Sequence, residues 1–339
     1  MPISPSFTLN DVSGCRMAVD RRINKIENFT PREIEYLLHT RGGIIGQDAA
    51  VRAAALIVYN HFEDRPSINL FCGPTGSGKT EIWRAIQHEY GDCNIVIQDA
   101  STLSAEGWKG GNKISTIFRA VEPERRGHII LVLDEADKLL EPQYGSNGTN
   151  YSDLLQNQLL KMCDHDTLFF GDENGGKGFF ADCSGVSVVF LGAFSRLLEH
   201  KSKQSGSIGF GTAIHQECDY GNTEITAEDL IEYGMRAELA GRINRIICMH
   251  PLTVDDLVRI SQQEIYRIGY EMHSNIDIDP GALTMLARVA VKKGLGARWM
   301  KSRICLMLDD LIYENPCAEE YHLEYEPPDA DDRRQAMAP

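Results

Sequence analysis

The chain has 339 residues, 42% hydrophobic and 24% charged, with a formal net charge of −15, an ordinary globular composition with length for two domains and a large core. The acidic balance argues against broad nucleic-acid backbone binding, which relies on clustered Lys and Arg. No apolar run approaches a membrane span and no signal-peptide pattern opens the chain. Nine cysteines without a C-x-x-C pair argue against a zinc ribbon and for reduced thiols, so a cytoplasmic location is expected.

In chain order, residues 1–29 are weakly patterned and read as an N-terminal extension. Thr30-Pro31-Arg32-Glu33 has a capping box with Pro at the first helical position, so a helix starts there and stops at Gly42-Gly43. Ile44-Ile45-Gly46-Gln47 leads into a second helix, Asp48 to about His61. Ile68 to Cys72 is short and apolar enough for a buried strand, and a helix begins near Glu81. Further strands are expected at Asn94–Gln98, Ile129–Leu133 and Val186–Leu191, with helices at Ser115–Ala120 and Leu154–Cys163. Continuous apolar runs suit parallel strands buried on both faces, and their alternation with helices predicts a doubly wound α/β sheet. Gly- and Ser-rich stretches at 145–149, 171–178 and 202–211 read as loops. After about residue 250 a smaller, mainly helical domain is expected, with helices from Thr253 to about Met272, Asp279-Pro280 to Gly294, and Gly296 to Tyr313, then an acidic tail from Glu319. The expected division is an extension over 1–29, a large ATPase domain over 30–250, a small mainly helical domain over 251–325 and a disordered tail over 326–339.

Gly73-Pro74-Thr75-Gly76-Ser77-Gly78-Lys79-Thr80 lies between strand and helix, the context that the phosphate-loop pattern G-x-x-x-x-G-K-[ST] requires. Glycines let successive N–H groups turn inward on a phosphate, and the helix adds its positive end. Lys79 would neutralise the outer phosphates of ATP, and Thr80 would touch Mg²⁺. The run 129–133 ends in Asp134-Glu135. Asp134 can share that Mg²⁺, and Glu135 can orient and deprotonate the attacking water. Alone, such a pair is more often an acidic exit into solvent; on a second buried strand after a phosphate loop it reads as catalytic. Arg242 and Arg298 are, by pattern alone, surface or salt-bridge arginines. A guanidinium on the γ-phosphate would stabilise transition-state charge.

Taken together, the chain resembles the ClpX family of AAA+ protein unfoldases over about residues 30 to 325. The resemblance rests on Thr30-Pro31-Arg32-Glu33-Ile34, Ile44-Ile45-Gly46-Gln47, Val58-Tyr59-Asn60-His61, the 73–80 loop and Leu133-Asp134-Glu135-Ala136-Asp137-Lys138. It continues through Gly206-Ser207-Ile208-Gly209-Phe210-Gly211, Glu228-Asp229-Leu230-Ile231, Gly241-Arg242 and Gly296-Ala297-Arg298. It implies an AAA+ P-loop NTPase fold and a homo-hexameric ring with ATP and Mg at subunit interfaces. Lys79, Thr80, Asp134 and Glu135 would act in cis, Arg298 would be the same chain's sensor, and Arg242 would reach a neighbour's nucleotide. Ile44 and Ile45 match the residues that cover the adenine. No polar sensor is evident on the fourth strand, where Gly192-Ala193-Phe194 follow Leu191.

Gly107-Trp108-Lys109-Gly110 falls at the family's aromatic pore loop, so Trp108 and Lys109 would grip the polypeptide. Ile208-Gly209-Phe210 matches the tripeptide that docks on a ClpP-like peptidase ring, two apolar side chains for hydrophobic clefts. Two departures stand out. No N-terminal zinc domain of the family's kind is expected, since only Cys15 occurs before residue 30, and residues 171–180 lack the basic loop of the ring entrance. The leading reading is an ATP-dependent unfoldase and translocase that threads unfolded or tagged proteins into a ClpP-like peptidase. It involves no nucleic acid and no membrane. A peptidase-independent remodelling chaperone remains an alternative; a DNA-acting AAA+ ATPase, a relative of the HslU branch or a non-hydrolysing scaffold are lesser ones.

Overall fold

A computed structural model describes residues 29–89, 95–104, 112–121, 127–142, 144, 148, 150–171, 178–197, 201 and 225–325. Helix α1 (Pro31–Thr40) starts at the expected capping box. Thr30 accepts from the Glu33 amide, and the Glu33 carboxylate accepts from the Thr30 N–H at 2.8 Å. Helix α2 (Asp48–Phe62) follows, then strand β1 (Ile68–Cys72), helix α3 (Lys79–Glu89), strand β2 (Ile95–Asp99), helix α4 (Ile114–Ala120) and strand β3 (Ile130–Asp134). Helix α5 (Tyr151–Cys163), strands β4 (Thr167–Phe170), β5 (Phe179–Asp182) and β6 (Ser187–Gly192), and helices α6 (Ala227–Tyr233) and α7 (Ala237–Ala240) come next. Strand β7 (Arg245–Cys248), helix α8 (Val254–Met272), strand β8 (Asn275–Ile278), helices α9 (Pro280–Lys292) and α10 (Ala297–Glu314), and strand β9 (Glu320–Leu323) complete the order.

The sheet runs β2-β3-β6-β1-β7, every pairing parallel. Side chains of the inner strands alternate between two cores. Leu70, Leu131, Leu133, Val188 and Phe190 face α4, α5, α6 and α7, while Phe71, Ile130, Val132, Val189 and Leu191 face α1, α2 and α3. Strands sandwiched in this way are buried on both sides, which is why they read as unbroken apolar runs. Phe71 meets Trp83 of α3 edge-on at 5.8 Å, and full burial of each such side chain stabilises by about 1.5–3 kcal/mol. The expected doubly wound α/β architecture is therefore present. Among the described residues no helix is long and apolar enough to cross a membrane.

The structure adds strands that the sequence pattern does not give. A fifth parallel strand, β7, pairs with β1, from Asn69↔Arg245 to Cys72↔Cys248; its ends carry Arg245 and Cys248 on an edge, so the apolar signature of a central strand is missing. Strands β4 and β5, on either side of the loop expected at 171–178, pair antiparallel and set Phe169 and Phe180 at 4.9 Å from each other on the exposed face. The C-terminal part is mainly helical, as expected, but the tail does not start at Glu319. Strand β9 pairs in parallel with β8 and buries Tyr321 and Leu323 in a third core with Leu283, Leu286, Met300 and Ile304. Four-residue strands with acidic outward positions carry too little periodic signal to be found by pattern.

Candidate active site

Parallel strands place all their C-terminal ends on one edge, and loops leaving that edge form the crevice where doubly wound sheets bind ligands. At this edge Cys72 is in register with Gly192 and Cys248, so the loops after β1, β6 and β7 open side by side. Asp134 stands in register with Asp99 one strand further out. They border a cleft of about 780 Å³ whose far wall comes from α8 and the first turn of α10. A second cavity of about 620 Å³ shares Ile44, Ile45 and Gln263 with it and extends toward His39 and Arg52.

The phosphate loop curls as its glycines allow, with Gly76 at φ +81° and Gly78 at φ +94°, values that a Cβ would strain. Helix α3 starts at Lys79 rather than near Glu81, so Lys79 and Thr80 stand in its first turn. Lys79 Nζ folds back to donate to the carbonyls of Gly73 at 2.7 Å and Pro74 at 2.8 Å. Burial holds its pKa below the ordinary lysine value, opposed by the charges of Asp134 and Asp137. Thr80 Oγ1 donates to Asp134 Oδ2 at 2.7 Å, and Asp134 Oδ1 accepts from the Glu135 amide at 3.0 Å. Glu135 takes a left-handed conformation, φ +56°. That turn starts the 3₁₀ segment Ala136–Leu139 and brings Glu135 against Lys138 at the cleft mouth. Ser77 Oγ is buried beneath the loop without a hydrogen-bond partner.

Thr75 to Thr80, Ile44, Ile45, Asp134, Glu135 and Arg298 all line this one cleft. Gly73 stands at its base, packed on Met249, and Pro74 lends its carbonyl to Lys79. Arg242 is not among the lining residues. It follows α7, half exposed, and its Nε donates to Asp164 at the end of α5. Trp108, Lys109, Ile208, Gly209 and Phe210 lie outside the described residues.

Pattern reading missed several groups at the cleft. Asp137 Oδ2 accepts from the Phe194 amide at 3.3 Å. Beside it Gly192 is hemmed in: a Cβ there would stand 2.5 Å from the Phe194 ring and 3.0 Å from Asp137 Oδ1. The crowding leaves no room for a side chain at the end of this strand, and Asp137 on the neighbouring turn is the polar group that stands beside it. On the opposite wall Glu264 pairs with Arg267 at 2.7 Å and Lys301 at 3.2 Å. Its pKa is lowered, chiefly by the Arg267 hydrogen bonds, against the opposing cost of burial. The i,i+3 spacing of Glu264 and Arg267 was the available signal, but the same spacing marks any solvated helix face.

Residues 69–197 match the family model described as "ATPase family associated with various cellular activities (AAA)", a span from β1 to just past the end of β6. The chain is 26% identical over 326 residues to the ATP-dependent Clp protease ATP-binding subunit ClpX of Treponema denticola, covering 85% of this chain and 77% of that protein. It is 27% identical over 337 residues to the ClpX subunits of Borrelia duttonii and Borrelia recurrentis, covering 88% of this chain and 77% of each. The chain is thus similar to AAA ATPases over residues 69–197 and to ClpX subunits over most of its length, a likeness that supports ATP binding and ATPase activity.

Proposed function

We propose that the chain is an ATP-driven protein unfoldase and translocase that assembles as a ring hexamer and threads unfolded or tagged proteins into a ClpP-like peptidase. The observation that carries this is the convergence of Lys79, the Thr80–Asp134 hydrogen bond, Glu135 and Arg298 on one cleft. On this reading residues 30–250 form the large domain and 251–325 the small one. ATP lies between them, with Ile44 and Ile45 against the base and residues 73–80 around the phosphates.

The donor set suits Mg²⁺, which takes one or two carboxylates and fills its remaining positions with phosphate oxygens and water. Thr80 Oγ1 and Asp134 Oδ2, already 2.7 Å apart, would hold it, and it would neutralise charge building on the phosphates. Lys79 would exchange the Gly73 and Pro74 carbonyls for phosphate oxygens. Glu135 would leave Lys138, orient a water for in-line attack and take its proton. Arg298 would face the terminal phosphate from the small domain, and Arg242 would exchange Asp164 for a neighbouring subunit's nucleotide. For the pore role of Trp108 and Lys109 and the peptidase docking of Ile208, Gly209 and Phe210, the support is sequence likeness to the family.

The test is Glu135→Gln. The variant should retain ATP and bound substrate while turnover falls by about 100-fold or more. Undiminished hydrolysis would remove Glu135 from the catalytic role. In parallel, replacing Ile208 and Phe210 by alanine should abolish degradation of a folded reporter by a mixture with a ClpP-type peptidase while ATPase activity persists. Degradation that survives would overturn the peptidase partnership.

A further inference from the structure

Glycines stand at several points where the C-terminal helices approach the loops around the cleft. A Cβ at Gly43 would meet Gln263 Oε1 of α8 at 3.4 Å, and one at Gly46 would meet Asp256 Oδ1 at 3.1 Å. The tightest contact is backbone on backbone. A Cβ at Gly296, the residue preceding α10, would stand 2.6 Å from Gly76 Cα, 2.8 Å from Gly76 O and 3.0 Å from Gly76 C. The converse is as severe, with a Cβ at Gly76 placed 2.8 Å from Gly296 Cα.

These glycines are not equivalent. Gly43, Gly46 and Gly76 have φ of +65°, +69° and +81°, so each is required by its own backbone. Gly296 has φ −92° and ψ −168°, ordinary extended backbone open to any residue. Its own conformation gives no reason for glycine; only the contact with the phosphate loop does. Nor is it chosen as a helix cap, because it offers no side-chain cap to α10, where Ser, Asp or Asn would do better.

Arg298 follows two residues later, in the first turn of α10. The Gly296 carbonyl accepts from the Trp299 amide at 3.0 Å and the Met300 amide at 3.4 Å, so whatever moves residue 296 moves this turn with it. We infer that the bare backbone of Gly296 is the seat on which α10 rests against the phosphate loop, and that this seat sets the distance from Arg298 to the terminal phosphate. Gly296 is thus a positioning residue for the ATP reaction. The inference rests on the reading of this cleft as the ATP site with Arg298 facing the γ-phosphate. Any side chain at 296 would push the turn back by on the order of an ångström, and a misplacement of that size costs up to about 100-fold in rate.

The full-length chain as wild type, Gly296→Ala, Gly296→Ser, Arg298→Ala and the Gly296→Ser/Arg298→Ala double variant would be compared in kcat for ATP, ADP affinity and thermal unfolding without nucleotide. Both substitutions at 296 should lower kcat by roughly 10- to 100-fold. They should leave affinity for ADP, which lacks the phosphate that Arg298 faces, within about twofold. Serine restores a helix cap yet keeps the offending Cβ, so Gly296→Ser should unfold no earlier than Gly296→Ala while remaining as slow. The double variant should be no slower than Arg298→Ala, since both changes remove the same contact. Wild-type kcat in Gly296→Ser beside an impaired Arg298→Ala would overturn this inference alone. Full activity in Arg298→Ala would overturn the reading of the cleft and the inference with it. A rate loss in Gly296→Ala that serine repairs would show capping, not seating, to be the role of residue 296.

Discussion

The two edges of the five-stranded sheet are made by the same strands and use polar residues in opposite ways. At the C-terminal edge the charged groups of the phosphate loop, Asp134 and Glu135 hold one another in provisional pairs. Lys79 rests on two carbonyls and Thr80 on Asp134, each of which a ligand can replace. At the N-terminal edge polar side chains, among them the buried His61 and Ser187 and the exposed Asn244, tie the strand ends to one another. His61 Nδ1 lies 2.9 Å from Ser187 Oγ, which also accepts from the Ser67 amide at 3.2 Å, and Asn244 Oδ1 accepts from the Ile68 amide at 2.7 Å. The His128 ring stacks on His61 at 4.2 Å. Polarity in a fold marks function where exchangeable partners face a cavity, and architecture where the partners are fixed and sealed.

The difference is sharpest for substitutions that separate activity from stability. Thr80→Ala should lower ATPase activity by on the order of 100-fold or more while costing only about 0.5–1.5 kcal/mol of stability, the usual worth of one hydrogen bond. A chain that unfolds readily with its specific activity intact would break the comparison. Ser187→Ala should do the reverse. It strips partners from His61 and the Ser67 amide and should cost about 1–3 kcal/mol in denaturant unfolding, with ATP turnover per folded molecule unchanged.

Acid should find the N-terminal edge. Burial, with a smaller contribution from His128, pushes the His61 pKa from the ordinary histidine value of 6.5 down to about 3. The folded chain therefore keeps this ring neutral while the unfolded chain protonates it below about pH 6.5. The unfolded state then binds more protons, so this contribution is complete above pH 6.5 and is lost as pH falls toward 3. The acid limb of the unfolding temperature should be shallower in His61→Gln than in wild type; an unchanged slope would remove His61 from this account. The smallest effect belongs to Lys138→Ala. Its pair with Glu135 is half exposed, so solvent screening should leave the unfolding temperature close to that of wild type. Release of Glu135 should change the rate of turnover rather than the fold.

Much of the nucleotide site was legible because its residues act through local backbone chemistry. A run of glycines ending in Lys79-Thr80 has few uses other than wrapping phosphates, and an apolar run that ends in Asp134-Glu135 announces a buried strand with a charged exit. The edge strand β7 and the β8–β9 pair were not legible, since their burial depends on neighbours distant in sequence. Asp137 escaped notice for a related reason. Nothing in its local pattern says that Gly192 leaves room for it beside Phe194.

The amino-acid order alone determined that this chain has buried parallel strands, a phosphate loop at the end of the first and a carboxylate pair at the end of another, because each follows from periodicity or turn chemistry within a few residues. Only the tertiary structure decided that these loops share one cleft with Arg298, that Arg242 stands outside it against Asp164, and that Gly296 must be bare where α10 meets Gly76. Those facts are distances between segments far apart along the chain, and such distances are set by packing of the whole fold rather than by any residue's own preference.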